Sequence, residues 1–457
     1  MEEFEVLVIG SGSGMIVAAQ AVASGMKTAL VETGPLGGTC LNRGCVPSKM
    51  LIYPADVVET IHEAEKIGIG AAVTSIDFEK IMKNMRQLVT EDVEQQTKAI
   101  EADPKIKFFR NTGEFVSDYT LKVADTNIKA KRIFIVSGAR PDIPPIKGMQ
   151  NVEYLTSDTV LKLDAPPRSM IIIGGGYIAA EYGHFFSSMG TKVTIIQRKT
   201  RILSEEEPEI SDLLKEEMSR RMDIFTDYEA VEVTQKNGAK IVLARSSDGV
   251  GVKEFSAESL LVAAGRVPNS DILKPEKTGV ELDKRGYIRV NEYLETRKKN
   301  IWAFGDAIGR EMFKHVANYE AQIAWHNALH DHKVSTDYSA APHAVFTHPQ
   351  IASVGLKETE AKQQGYKILV GTALYRDTAL GAAMGKPNGF VKAILEQKTG
   401  KVLGGHIIGP FASILVQEIV NAMASGDKTF APILRGMHIH PAMSEVVQNA
   451  FVNLREA

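Results

Sequence analysis

One local pattern occurs twice in this chain: a short apolar strand that runs into a glycine turn and then a helix. Glu5-Val-Leu-Val-Ile9 is apolar and β-branched, hence strand-like, and leads into Gly10-Ser-Gly-Ser-Gly-Met15 and an alanine-rich helical stretch over 16–24. A second strand over 27–31 ends at Glu32. Strand, glycine turn, helix, strand and terminal carboxylate within about 30 residues is the dinucleotide-binding unit. Gly10 permits the tight turn. Gly12, with Gly14 beside it, lets the backbone approach a pyrophosphate at the positive end of the helix, and Glu32 can accept bonds from ribose hydroxyls. The glycines alone also fit a generic strand-to-helix turn; the strand–helix–strand context is what favours nucleotide binding. The third glycine of the pattern, which allows close helix–strand packing, is replaced by Met15.

The second copy starts at Met170-Ile-Ile-Ile173 and continues as Gly174-Gly-Gly-Tyr-Ile-Ala-Ala-Glu181. Gly174 and Gly176 stand at the first two glycine positions and Ala179 at the third, where alanine is accepted. Two such units imply two dinucleotides. The strand Lys192-Val-Thr-Ile-Ile196 is followed by Gln197, Arg198, Lys199 and Arg201, whereas an NAD-preferring site places a carboxylate at its end. These cations can pair with a ribose 2′-phosphate, so NADPH is favoured over NADH; a solvated charged turn is the alternative. Beyond about Pro342 the texture changes to strands over 344–346, 368–370, 389–395 and 402–408, with helices over 358–365 and 414–425. The fold class is therefore α/β, with two Rossmann-like dinucleotide-binding domains and a C-terminal α+β domain. A length of 457 residues accommodates about three domains.

The chain has two cysteines, Cys40 and Cys45, and both fall in one short window. A secreted, disulfide-stabilised protein spreads many cysteines, and two cannot complete a four-thiolate zinc site. A helix starting near Cys40 would bring the pair within disulfide range and lower a thiol's pKa, which suggests a working dithiol; two structural core cysteines are the alternative. The net charge of −3 shows no basic excess for nucleic acid, no apolar run reaches membrane-spanning length, and residues 1–4 lack the character of a targeting segment. A cytoplasmic protein is expected. Near the C-terminus, His438-Ile-His-Pro-Ala-Met-Ser-Glu445 places a carboxylate five residues after His440, spacing that suits an oriented imidazole–carboxylate pair for proton transfer. With no third ligand cluster nearby, metal ligation is not expected.

The run Gly38-Thr-Cys-Leu-Asn-Arg-Gly-Cys-Val-Pro-Ser-Lys49 closely resembles the redox-active disulfide of the flavoprotein disulfide reductases, the class I pyridine nucleotide-disulfide oxidoreductases. Arg43 departs from the pattern, standing where many relatives carry valine. The resemblance extends from the first strand to the C-terminus and implies the following roles. FAD binds the first glycine unit, with Thr39, Lys49 and Asp306 of Ile301-Trp-Ala-Phe-Gly-Asp306 contributing; NADPH or NADH binds the second. Tyr177 shields the flavin, and Lys49 and Glu181 form an ion pair beside it. Cys45 is the flavin-proximal sulfur and Cys40 the one that meets substrate. His440, oriented by Glu445, moves protons and is delivered by the other subunit of a homodimer. The domains run 1–148 with 262–340 for FAD, 149–261 for NAD(P) and 341–457 for dimerisation. The substrate is a small disulfide or a lipoyl group. The cysteine motif and spacing point to the lipoamide dehydrogenase branch, and this is the leading expectation. Phe313-Lys-His-Val-Ala-Asn318, Ala344-Val-Phe-Thr-His-Pro-Gln-Ile351 and Gln197 point instead to an NADPH-dependent reductase of the mycothione reductase kind. The absence of a further cysteine pair disfavours mercuric reduction, and the intact histidine–glutamate pair argues against a non-catalytic flavin-bound redox sensor.

Overall fold

The computed structural model describes residues 1–457, which fall into two compact units. The first comprises residues 1–48, 82–142 and 265–336. Its sheet runs Ile106–Arg110, Thr28–Glu32, Glu2–Ile9 and Thr126–Ile135, all parallel. Thr126–Ile135 then pairs with Ile301–Ala303 in parallel and with the Thr120–Val123 strand in antiparallel, which Gly113–Ser117 extends. The central strands are buried on both faces: Val6, Leu7, Val8, Ile133, Phe134 and Ile135 are all 0% exposed. This is why they read as unbroken apolar runs rather than alternating ones. Each such side chain stabilises the sheet by about 1.5–3 kcal/mol relative to exposure.

The helix after the first strand spans Gly14–Ala23, and the strand after it reaches Glu32 itself. The close packing expected of a third glycine falls at Gly14. A Cβ there would lie 2.8 Å from Val8 Cγ1, while Met15 is half-buried at the edge of the core. Helix–strand approach is thus preserved one residue early, and Met15 does not obstruct it.

The second unit comprises residues 49–81, 143–264 and 337–457. Ser169–Ile173 lies at the heart of a four-stranded parallel sheet, between Lys192–Gln197 and Ser259–Val262, with Asp223–Thr226 on the outer edge. The helix Tyr177–Ser188 follows its glycine turn and is almost wholly buried. Three antiparallel strands, Tyr228–Lys236, Ala239–Ser246 and Val252–Ala257, form a separate small sheet.

The C-terminal part is a six-stranded antiparallel sheet in the order Pro342–Val345, Ile351–Gly355, Val402–Ile408, Phe390–Glu396, Ile368–Leu374, Arg455–Glu456. The helices Glu358–Gln363 and Ala412–Ala424 accompany it, the latter packing its Leu415, Val416 and Ile419 into the sheet's core. The expected strands are present. Ile351–Gly355 is an additional one: its Ala-Ser-Val-Gly sequence carries little β signal, and pairing on both sides makes it a strand.

Candidate active site

The first glycine loop is built to leave room at one point and none at its flanks. Gly10 has φ +109°, and a Cβ there would strike the Val136 carbonyl oxygen at 2.1 Å. At Gly12 a Cβ would meet nothing within 4 Å, and the same holds for Gly138 at the end of the neighbouring strand. The loop is held by Glu32, whose Oε2 accepts from the Ser11 amide at 2.9 Å and its hydroxyl at 2.8 Å; Glu32 Oε1 accepts from the Gly34 amide at 2.9 Å. In turn Ser11 Oγ accepts from Gly37 N at 3.1 Å. Glu32 therefore fixes the loop.

Two further groups suit a large polar ligand. Ser137 Oγ is buried with no hydrogen-bond partner. Asp306 follows the strand Ile301–Ala303; burial pushes its carboxyl up, and the Arg266 guanidinium at 3.7 Å pulls it back. The open ground over Gly12, the helix N-terminus at Gly14 and these two polar groups together fit a flavin dinucleotide.

The cysteine segment abuts the same loop. A Cβ on Gly38 would lie 2.7 Å from Gly12 Cα, so only glycine fits there. The sequence suggested one helix beginning near Cys40; the structure has two, Gly38–Arg43 and Cys45–Glu63, separated at Gly44. Gly44 leaves the helical region, at φ −132° and ψ −110°, and faces the carbonyl of Thr39. The thiols consequently sit within one short helix, at Cys40, and at the start of the next, at Cys45. Cys40 is half-buried, Cys45 exposed. The Cys40 thiol is hydrogen-bonded to the Cys45 sulfur, and that bond, then burial, pushes its pKa well up. Lys314 acts in the opposite direction on it. Arg43 closes the first helix, where a cation complements the negative helix end.

In the second unit Lys49 Nζ lies 2.9 Å from both carboxylate oxygens of Glu181. Glu181 Oε1 also accepts from the Phe346 amide at 3.0 Å, and the Phe346 ring lies under the Lys49 ammonium at 4.2 Å. Phe346 thus holds the pair from two sides, a contact that no sequence pattern signals. Tyr177 opens its helix and is 37% exposed.

The second glycine loop repeats the first. Gly174 has φ +121° and its Cβ would strike the Ala263 oxygen, Gly176 faces open space, and Ala179 is fully buried against the sheet. These residues fit a second dinucleotide. Gln197 does not reach outward: its side chain is buried against Gly175, and its Nε2 donates to the Arg201 carbonyl at 3.3 Å. The cations beyond it also differ. Lys199 is tied to Glu205 at 2.9 Å and Arg201 to Asp212 at 2.7 Å; exposed Arg198 lines a cleft of about 380 Å³ together with Lys199 and with Arg245, a cation distant from it in sequence.

His440 Nδ1 lies 2.8 Å from Glu445 Oε1, and Glu445 Oε2 accepts from the Ala442 amide at 3.1 Å. The hydrogen bond to His440 lowers the Glu445 carboxyl below its usual range. His440 is 74% exposed, with Met437 and Ile439 beside it also exposed. His438 is instead engaged with Glu418 at 2.6 Å.

Residues 4–321 match the pyridine nucleotide-disulphide oxidoreductase family and residues 341–451 its dimerisation domain. The chain is 37% identical to mycothione reductase of Mycobacterium tuberculosis over 467 aligned positions, covering 100% of both. It is 34% identical to dihydrolipoyl dehydrogenase of Chlamydia muridarum, covering 97% of this chain and 95% of that protein. Among solved structures it is similar to the Cu(II) complex of the HOCl-induced flavoprotein disulfide reductase RclA from Escherichia coli, with TM-score 0.87, 27% identity and 99% of each chain covered. No helix is long and apolar enough to cross a membrane. The chain belongs to the pyridine nucleotide-disulphide oxidoreductases, flavoprotein enzymes that use FAD with NAD(P)H as electron donor.

Proposed function

We propose that this protein is an NADPH-dependent reductase of a low-molecular-weight disulfide, of the mycothione reductase kind, in preference to a lipoamide dehydrogenase. The observation that carries the preference is the end of the strand Lys192–Gln197, where a buried glutamine and an exposed arginine stand in place of the carboxylate that suits NAD. The higher identity to mycothione reductase, over the full length of both chains, supports the same choice. Lipoamide remains the second reading, favoured by the 34% identity to a dihydrolipoyl dehydrogenase.

When bound, the nicotinamide and flavin supply a hydride and a route for two electrons to the Cys40–Cys45 pair. The Cys40 thiolate then attacks one sulfur of the substrate disulfide. An S–S bond breaks, a mixed disulfide forms, and His440 gives a proton to the departing sulfur. The Cys45 thiolate attacks the Cys40 sulfur in turn, breaking the mixed disulfide and restoring the intramolecular one, and the second substrate sulfur leaves as a thiolate that takes up a proton from solvent. Glu445 holds the imidazole of His440 in one orientation through its Nδ1 contact. Lys49 and Glu181 act as a paired charge beside the flavin, with Tyr177 as the gate to it. Gly10, Gly12, Gly14, Glu32, Thr39 and Asp306 hold FAD, and Gly174, Gly176, Ala179 and Arg198 hold the nicotinamide dinucleotide. The domain division is 1–148 with 262–340, 149–261 and 341–457. The exposure of His440 and its apolar neighbours supports a homodimer in which this segment serves the partner subunit.

Anaerobic titration with NADPH and with NADH, followed by steady-state assays on small thiol disulfides and on lipoamide, tests the reading. Flavin bleaching by NADPH with turnover of small disulfides is expected. Efficient NAD⁺-dependent oxidation of dihydrolipoamide, with no turnover of small disulfides, would move the protein to the second reading.

A further inference from the structure

We propose that Lys314 is the cationic residue that stabilises the thiolate of the reduced Cys40–Cys45 pair. The inference rests on the reading of that pair as redox-active.

Lys314 is the first residue of the helix Lys314–Leu329. This is a poor place for a lysine. The N-terminus of a helix carries partial positive charge, so a cation there is repelled. Lys314 is also largely withdrawn from solvent, and this burial lowers its ammonium pKa. A buried cation normally has a carboxylate partner, but the one hydrogen bond made by Lys314 Nζ goes to a neutral group, Ser13 Oγ at 3.1 Å. Ser13 Oγ donates onward to Asn318 Oδ1 at 2.8 Å, one turn further along the same helix. The lysine is thereby held beside the first glycine loop, against which Gly38, two residues before Cys40, is packed.

Among the protein's own groups, the sulfurs of Cys40 and Cys45 favour the charged form of Lys314. Reciprocally, Lys314 is the side chain that makes the Cys40 thiol easier to ionise. Two electrons delivered to the disulfide, originating from NAD(P)H, break the S–S bond and leave two negative charges on the sulfurs. Uptake of one proton leaves one thiol and one thiolate. The Lys314 ammonium is the fixed positive charge that meets this thiolate, so the cost of its placement is offset in the reduced state. A lysine merely lying along the surface would have a carboxylate or water for its head group rather than the hydroxyl of a glycine-loop serine.

The test uses the holoenzyme reduced with dithiothreitol and alkylated with iodoacetamide across a pH series, with labelled cysteines counted by mass spectrometry. In the wild type, labelling of Cys40 and Cys45 is expected to follow a thiolate titration. In Lys314→Met its midpoint should rise by about one to three pH units, with FAD content unchanged, and Lys314→Arg should stay near wild type. Lys314→Gln takes the place of Lys314→Met if the latter loses FAD. An unchanged midpoint in the neutral variant, or an equal rise in Lys314→Arg, overturns the proposal. Failure of the wild type to yield two alkylatable cysteines on reduction would instead overturn the redox reading on which it rests.

Discussion

Lys49 and Glu181 form a symmetric ion pair, with Nζ 2.9 Å from each carboxylate oxygen, and Phe346 completes it from two sides. The lysine side chain is 37% exposed and the glutamate 8%, so the carboxylate is the fixed member and the ammonium the guided one. Glu181→Gln keeps the shape and deletes the charge that holds Lys49. A charged hydrogen bond is worth about 1.5–3 kcal/mol, so flavin reduction by NADPH should slow about tenfold or more in stopped-flow absorbance. A rate equal to wild type would show that the pair is structural only.

Cys45→Ser should abolish disulfide reduction and leave FAD bound. The serine can occupy the exposed N-terminal turn of the helix Cys45–Glu63 without disturbing the core. Flavin content by absorbance, set beside turnover, separates the outcomes. Loss of FAD would mean that the cysteine supports the fold.

His440→Gln should lower turnover by about 10²- to 10⁴-fold, the range of a lost general acid–base group. Glu445→Gln should cost less, because the imidazole stays in place and loses only its orienting contact at 2.8 Å. Flavin bleaching by NADPH should be unaffected in both, since neither residue is assigned to that step. Slowed bleaching in either variant would contradict the assignment.

The two cations next to Gln197 should behave differently. Arg198→Ala should raise KM for NADPH about tenfold or more, from loss of a charge-assisted bond to phosphate, and leave KM for NADH near wild type. Lys199→Ala should do less, because its ammonium is already engaged by Glu205. Equal effects on both coenzymes would remove the 2′-phosphate role.

His184 should make the fold acid-sensitive. Its side chain is fully buried, between Asp56 at 2.9 Å and the Arg221 guanidinium at 3.0 Å, and burial holds its pKa below the ordinary value of 6.5 despite Asp56. With a depressed folded value, the unfolded chain binds the proton first. Stability is therefore fully present above 6.5 and lost as pH falls through it. Thermal unfolding midpoints from about pH 8 to about pH 5 should drop more steeply in wild type than in His184→Gln. Parallel curves would refute this.

The features legible in the sequence follow from local rules. Runs such as 5–9 and 170–173 are apolar without alternation, because parallel central strands are buried on both faces. Gly10 and Gly174 read as turn glycines because a side chain there would strike backbone. The dithiol and the pair His440–Glu445 were legible because both partners lie within six residues of each other. Tertiary structure decided everything that depends on groups distant in the chain. It showed that Gly14 takes over the packing role vacated at position 15, that Gly44 splits the cysteine helix, and that Gln197 turns inward. It separated Arg198 from Lys199 and Arg201, which sequence treats alike, by supplying carboxylates to the latter two. It also brought Lys314 to the cysteines, a placement no spacing rule reveals, because charges act through space and the chain brings them together only on folding.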